Sequence, residues 1–157
     1  MDYSNARDLF TAARDAAAEC ERTRRMLQAM EDAETGGGSM MGARVSHGSV
    51  GDPMRRVDAR IDKERVWFAR IEANESLMDF ATCVLYGRDQ DGRGGVNAAL
   101  GGAYADVLWW RYLAVEPWAT VARMVGYSRR RCMELQAVAF DYVDSVGILD
   151  AIMGAAV

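Results

Sequence analysis

The chain has 157 residues, half of them apolar, and its 23 acidic and 19 basic side chains give a net charge of −4. The two prolines and four phenylalanines, among many alanines, arginines and methionines, favour helix over sheet. The three cysteines lack metal-like spacing, no apolar run nears the roughly 20 residues of a membrane span, and the N-terminus lacks signal-peptide order. We therefore expect an all-α cytoplasmic protein with reduced thiols and with no cofactor, metal or membrane contact.

The N-terminal segment predicts one long helix over residues 4–34, with Ser4 as its N-cap. Small and apolar residues recur there at alternating spacings of four and three, as in a heptad seam. The seam consists of Leu9, Ala13, Ala16, Cys20, Thr23, Leu27 and Met30. Because it is thin in the middle, this helix needs a partner. Residues 35–52 hold six glycines without periodicity and predict a flexible linker, in which His47 is a solvated side chain.

A second long helix is expected from Pro53 to about Tyr86, since proline suits the first helical position. Its apolar side consists of Val57, Ile61, Phe68, Ile71, Met78 and Leu85. Both helices would be about 50 Å long, so the linker can fold the second antiparallel along the first. Residues 1–86 therefore predict a long antiparallel helical hairpin. The same seams would also serve two chains, and a homo-oligomer through helices 4–34 and 54–86 is the alternative.

Residues 87–97 are rich in glycine and predict a hinge. A calcium loop is rejected there, because Arg93 and Leu100 occupy positions where the cation needs oxygen ligands. Asn97 is expected to cap a helix over residues 98–113, which Gly101 and Gly102 weaken. Residues 98–157 then form a small helix-turn-helix head attached to the hairpin.

The stretch PWATVARMVGYSRRRCMEL, residues 117–135, has the spacing of two short helices that cross at a tight turn. Ala122 allows close approach of the helices, and Gly126 supplies the left-handed turn residue. Ser128 is the N-cap of the second helix. Cys132 and Leu135 would pack against the first helix at Val121 and Val125, and the second helix would continue to Val146 and end at Gly147. This is the pattern of a DNA-binding helix-turn-helix, which generic αα-hairpins share.

An arginine run opens the second helix of this stretch. Within residues 117–136 four arginines face the single acid Glu134, a local balance that suits phosphates at a helix N-terminus. Helical geometry directs four side chains outward as a readout group: Arg129, Arg130, Met133 and Glu134. Arg131 is nearer the flank and is the candidate phosphate contact. Arg123 and Arg111 are weaker phosphate candidates.

Residues 107–135, VLWWRYLAVEPWATVARMVGYSRRRCMEL, resemble the fourth region of bacterial sigma factors as it occurs in phage late-gene transcription activators of the ArpU/RinA class. The resemblance rests on Arg111-Tyr112, Trp118, Val121-Ala122, the run from Gly126 to Arg130, and the pair Cys132 and Leu135. The chain departs from that family at Pro117, Ala119, Thr120 and Cys132. The resemblance implies a transcription regulator in a bacterial host cell that binds double-stranded DNA and contacts host RNA polymerase.

No convergent set of titratable residues or phosphate-cradling loop is recognisable in the sequence, so we do not expect an enzyme. Three functional hypotheses are open. The leading one is a sigma-like phage transcription regulator. The second is a phage terminase small subunit, which also joins a helix-turn-helix to helical oligomerisation segments and binds packaging DNA. The third is a helical interaction protein that does not bind DNA.

Overall fold

The computed structural model describes residues 2–36 and 53–154, and these ranges contain helices without any strand. The all-α prediction is therefore confirmed for them, whereas residues 37–52, with His47 and most of the predicted linker, lie outside the described residues. No helix in the described ranges is long and apolar enough to cross a membrane. The helices are α1 (Ala6–Thr35), α2 (Pro53–Tyr86), α3 (Gly95–Leu100), α4 (Gly102–Leu108), a π-helical segment (Trp109–Leu113), α5 (Trp118–Val125), α6 (Arg129–Val146) and α7 (Ile148–Met153).

Helix α1 begins one residue later than a Ser4 cap would place it. Asn5 is the N-cap, and its side-chain oxygen accepts a hydrogen bond from the Asp8 amide at 2.9 Å. The Asn5 side-chain amide also donates to the Asp8 carboxylate at 3.0 Å, so the cap and the first turn hold each other. The predicted seam is buried from Leu9 to Thr23, and its last two members, Leu27 and Met30, are half-buried.

Helix α2 has the predicted bounds, but the predicted apolar stripe is wrong over its first half. Val57, Ile61 and Phe68 are 51%, 43% and 58% exposed. The less exposed positions recur instead at spacings of four and three: Arg60, Glu64, Trp67, Ile71, Asn74, Met78, Ala81 and Leu85. This stripe faces α1, since Arg60 pairs with Glu34 and the Cys20 thiol contacts the Ile71 carbonyl oxygen.

The largest hydrophobic cluster combines the start of α1 and the end of α2 with α3, α4, the π-helical segment, α6 and α7. At its centre lie the rings of Phe10, Tyr112 and Phe140, whose centroids are 5.7 to 5.8 Å apart. Aromatic rings at this separation attract one another in addition to burying apolar area. The division of the chain into a hairpin and a head at residues 87–97 stays a prediction. In the structure, apolar contacts join the segments before and after these residues.

The segment predicted as a hinge packs closely against the end of α2. Gly95 has φ +69°, and a Cβ atom at this position would lie 2.5 Å from the Leu85 carbonyl oxygen, so only glycine fits. Asn97 is inside α3 and donates from its side chain to the Gly92 carbonyl oxygen at 2.8 Å, so its predicted role as a helix cap is wrong. The single helix predicted over residues 98–113 is also wrong, because Gly101 at φ +118° separates α3 from α4.

The π-helical segment ends α4 with one wide turn. The amide of Ala114 donates to the Trp109 carbonyl oxygen, five residues back, at 3.0 Å. The Glu116 amide then donates to the Trp110 carbonyl oxygen at 3.0 Å, and this bond needs a positive φ of 60° at Val115. These turns direct the chain from α4 into α5.

Candidate nucleic-acid interface

Helices α5 and α6 are joined by the turn at residues 126–128. Gly126 is left-handed at φ +77°, and its amide donates to the Ala122 carbonyl oxygen at 3.0 Å. The Ser128 hydroxyl accepts a hydrogen bond from the Arg131 amide at 3.1 Å, which satisfies one of the free amides of the first turn. The predicted turn residue, the N-cap and the end of α6 at Gly147 are all confirmed.

A small hydrophobic cluster fixes the position of α6 against α5. Val121, Cys132 and Val107 are fully buried, and Leu135 is 3% exposed. Burial raises the pKa of the Cys132 thiol, so the thiol stays neutral and acts as a small apolar side chain. The predicted packing of Cys132 and Leu135 against Val121 and Val125 of α5 is confirmed.

The opposite face of α6 carries the side chains of the predicted readout group. Arg129, Arg130, Met133 and Glu134 are exposed, as are Ser128, Arg131 and, on α5, Arg123. Arg129, Arg130 and Arg131 therefore lie at the N-terminal end of the capped helix α6, where the partial positive charge of the helix adds to theirs.

Glu134 links two arginines, Arg130 and Arg131, for which separate roles were predicted. Arg130 Nε lies 3.3 Å from Glu134 Oε1, and Arg131 Nη1 lies 3.3 Å from Glu134 Oε2. Spacings of three and four residues bring side chains together on a helix, so this bridge follows from the sequence although it was not predicted. The bridge brings two exposed guanidinium groups close to one carboxylate, which partly neutralises their charge. Arg129 forms no ion pair with any residue in 2–36 or 53–154.

Arg111 has its polar contacts within the protein. Its guanidinium carbon lies 4.8 Å from the centroid of the Trp118 ring, and Nη1 donates to the Glu116 carbonyl oxygen at 3.1 Å. Burial lowers the pKa of Arg111, and the neighbouring Arg14 lowers it further. Arg14 in turn donates to the Arg111 carbonyl oxygen. Arg111 therefore fastens the start of α5 to the π-helical segment.

Two exposed apolar side chains lie beside the arginines and were not predicted as part of the interface. Tyr127 in the turn is 47% exposed and Met124 near the end of α5 is 48% exposed. Both extend the exposed surface next to the N-terminus of α6.

The described part of the chain has no group of three or more His, Cys, Asp and Glu side chains that could hold a metal ion. Comparisons with protein-family models, with curated proteins and with solved structures found no match to this chain. The interface is therefore interpreted from its own geometry and charge.

Proposed function

We propose that this protein is a sequence-specific DNA-binding transcription regulator of the phage type, and that it is not an enzyme. In this proposal α5 and α6 form a helix-turn-helix like that of sigma factor region four, and α6 enters the major groove of double-stranded DNA. Helices α1 and α2 form the supporting antiparallel hairpin. The supporting observation is the run of three exposed arginines in the first turn of α6. Ser128 caps this helix, and a buried hydrophobic cluster packs it against α5.

Charge and position assign a role to each side chain in this proposal. Arg129 and Arg130 reach base edges, where arginine binds guanine with two hydrogen bonds. One turn later Met133 touches a thymine methyl group, and Glu134 accepts a hydrogen bond from cytosine. Arg131 contacts a phosphate, and phosphate oxygens compete with Glu134 for its guanidinium.

The two weaker phosphate candidates, Arg123 and Arg111, differ in how accessible their guanidinium groups are to DNA. Arg123 is exposed on α5, so it is available to the DNA backbone. Arg111 is half-buried against Trp118 and already donates to a carbonyl oxygen, so it stays the weakest candidate. Host RNA polymerase is the proposed protein partner, on the ground of the sigma-like resemblance alone.

The function is tested by capture of fragments of the parent genome on the purified protein, followed by sequencing. We expect enrichment of a few sites that share one motif. The double variant Arg129→Ala with Arg130→Ala should lose this enrichment. Arg25→Ala is the matched control, because Arg25 is an exposed arginine that pairs with an acid four residues before it on a different helix. Random retention of fragments, or none, would contradict the proposal.

The oligomeric state in solution distinguishes the terminase alternative from the transcription regulator. A terminase small subunit would form rings in solution and retain packaging DNA, whereas the regulator is expected as a monomer or dimer at a control site. A protein with no salt-dependent affinity for any DNA would instead be a helical interaction protein.

A further inference from the structure

We propose that two copies of this chain associate through an exposed apolar stripe on the first half of α2, with the two α2 helices antiparallel and Ile61 at the two-fold axis. The stripe consists of Met54, Val57, Ile61 and Phe68, which are 68%, 51%, 43% and 58% exposed. This pairing does not depend on DNA binding.

The stripe has the geometry of a helix-pairing surface. Its residues follow one another at spacings of three, four and seven, so they lie on one side of α2 over about 21 Å. This side is separate from the one that faces α1, which carries Arg60 and Ile71. An apolar row of this length that is exposed to water is typical of an interaction site.

Charges beside the stripe favour a second copy of the chain as its partner. Asp58 and Arg65 are seven residues apart, so they lie on the same flank of the stripe. Asp58 is three residues before Ile61 and Arg65 is four residues after it. If Ile61 meets Ile61 of the second copy in an antiparallel pair, each Asp58 lies opposite an Arg65. The same two-fold axis brings Met54 opposite Phe68.

The charges on the two flanks differ in a way that fits this arrangement. Within residues 2–36 and 53–154, neither Asp58 nor Arg65 forms an ion pair. On the flank next to α1, by contrast, Glu64 pairs with Arg60 at 3.0 Å, and Arg60 also pairs with Glu34. The flank away from α1 therefore carries an acid and a base that form no ion pair among the described residues, at positions that face each other between antiparallel copies.

Sedimentation equilibrium over a wide range of protein concentration tests the pairing. We expect the unaltered protein to dimerise and Ile61→Glu to raise the dimer dissociation constant at least about tenfold, because a charge would be buried at the axis. Val66→Glu is the matched control. Val66 is 50% exposed on the same helix, but it lies about 140° around α2 from Ile61. Circular dichroism should show equal helix content in both variants.

A charge exchange tests the antiparallel orientation. Asp58→Arg alone and Arg65→Asp alone should each weaken the dimer, since like charges would meet. An equal mixture of the two variants should restore it, because every arginine then faces an aspartate on the other variant. A monomer at all concentrations, equal weakening by Val66→Glu, or a mixture no stronger than its components would overturn the proposal.

Discussion

The guanidinium of Arg111 lies over the Trp118 ring and also donates to the Glu116 carbonyl oxygen. It thereby joins the π-helical segment to the first residue of α5. We expect Arg111→Ala to lower the free energy of unfolding by about 1 to 2 kcal/mol, through loss of the cation–π contact and the hydrogen bond. Arg111→Lys should keep only part of the lost stability, because an ammonium group lacks the planar surface that stacks on the Trp118 ring. Urea titration followed by tryptophan fluorescence measures this.

Arg123→Ala is the control for that change, since Arg123 is an exposed arginine of the adjoining helix. Its unfolding free energy should stay within about 0.5 kcal/mol of the unaltered protein. Equal stability of the Arg111→Ala and Arg123→Ala variants would show that the Trp118 contact contributes nothing.

Val115 has a backbone conformation that β-branched residues disfavour, at φ +60°. Glycine adopts this conformation freely, whereas alanine has nearly the same steric conflict as valine. We therefore expect Val115→Gly to be more stable than Val115→Ala by about 1 kcal/mol, the reverse of their order inside a helix. Thermal and urea unfolding of the two variants measure the difference. Alanine proving the more stable would mean that the backbone is not strained there.

The Thr23 hydroxyl on α1 is buried, and its oxygen has no hydrogen-bond partner among the described residues. Valine has nearly the same shape without the polar group. Thr23→Val should therefore raise the free energy of unfolding by about 1 kcal/mol. Thr82→Val is the matched control, because the Thr82 hydroxyl donates to the Met78 carbonyl oxygen at 2.8 Å. Removal of this satisfied hydroxyl should not raise the free energy of unfolding. A loss of stability in Thr23→Val would contradict the assignment.

Local sequence signals predicted the boundaries of several helices correctly. Pro53, Gly126, Ser128 and Gly147 each have a backbone or capping preference that acts within a few residues, so their effect does not depend on the rest of the fold. The packing side of α2 could not be predicted in this way. Apolar periodicity favoured the stripe through Ile61, whereas the tertiary ion pair between Arg60 and Glu34 lies along a different stripe.

The candidate interface, like the fold, could be predicted from the sequence only in part. The inward residues Cys132 and Leu135 and the outward arginines follow from helical spacing alone. The position of Arg111 depends on the π-helical segment and on Arg14 from α1, which lies far away in the sequence. No local pattern reports a contact of that kind.

Glu134 pairs with both Arg130 and Arg131 in the free protein. Glu134→Gln and Glu134→Ala both remove this charge and should raise non-specific DNA affinity by about two- to fivefold. Only glutamine keeps an acceptor for cytosine, so Glu134→Ala should also lose preference for the specific site. Competition binding with specific and random duplexes separates the two effects. Equal site preference in the two variants would remove Glu134 from the readout group.

The most direct test of DNA reading by α6 is a salt series of binding measurements on Arg130→Ala and Arg131→Ala, with specific and random duplexes. Arg130→Ala should cost about 1 to 3 kcal/mol on the specific site and relax its sequence preference. Arg131→Ala should weaken both duplexes similarly and lower the salt slope by about one. Unchanged affinity in both variants, with the helical fold intact, would contradict the assignment of α6 as the DNA-reading helix.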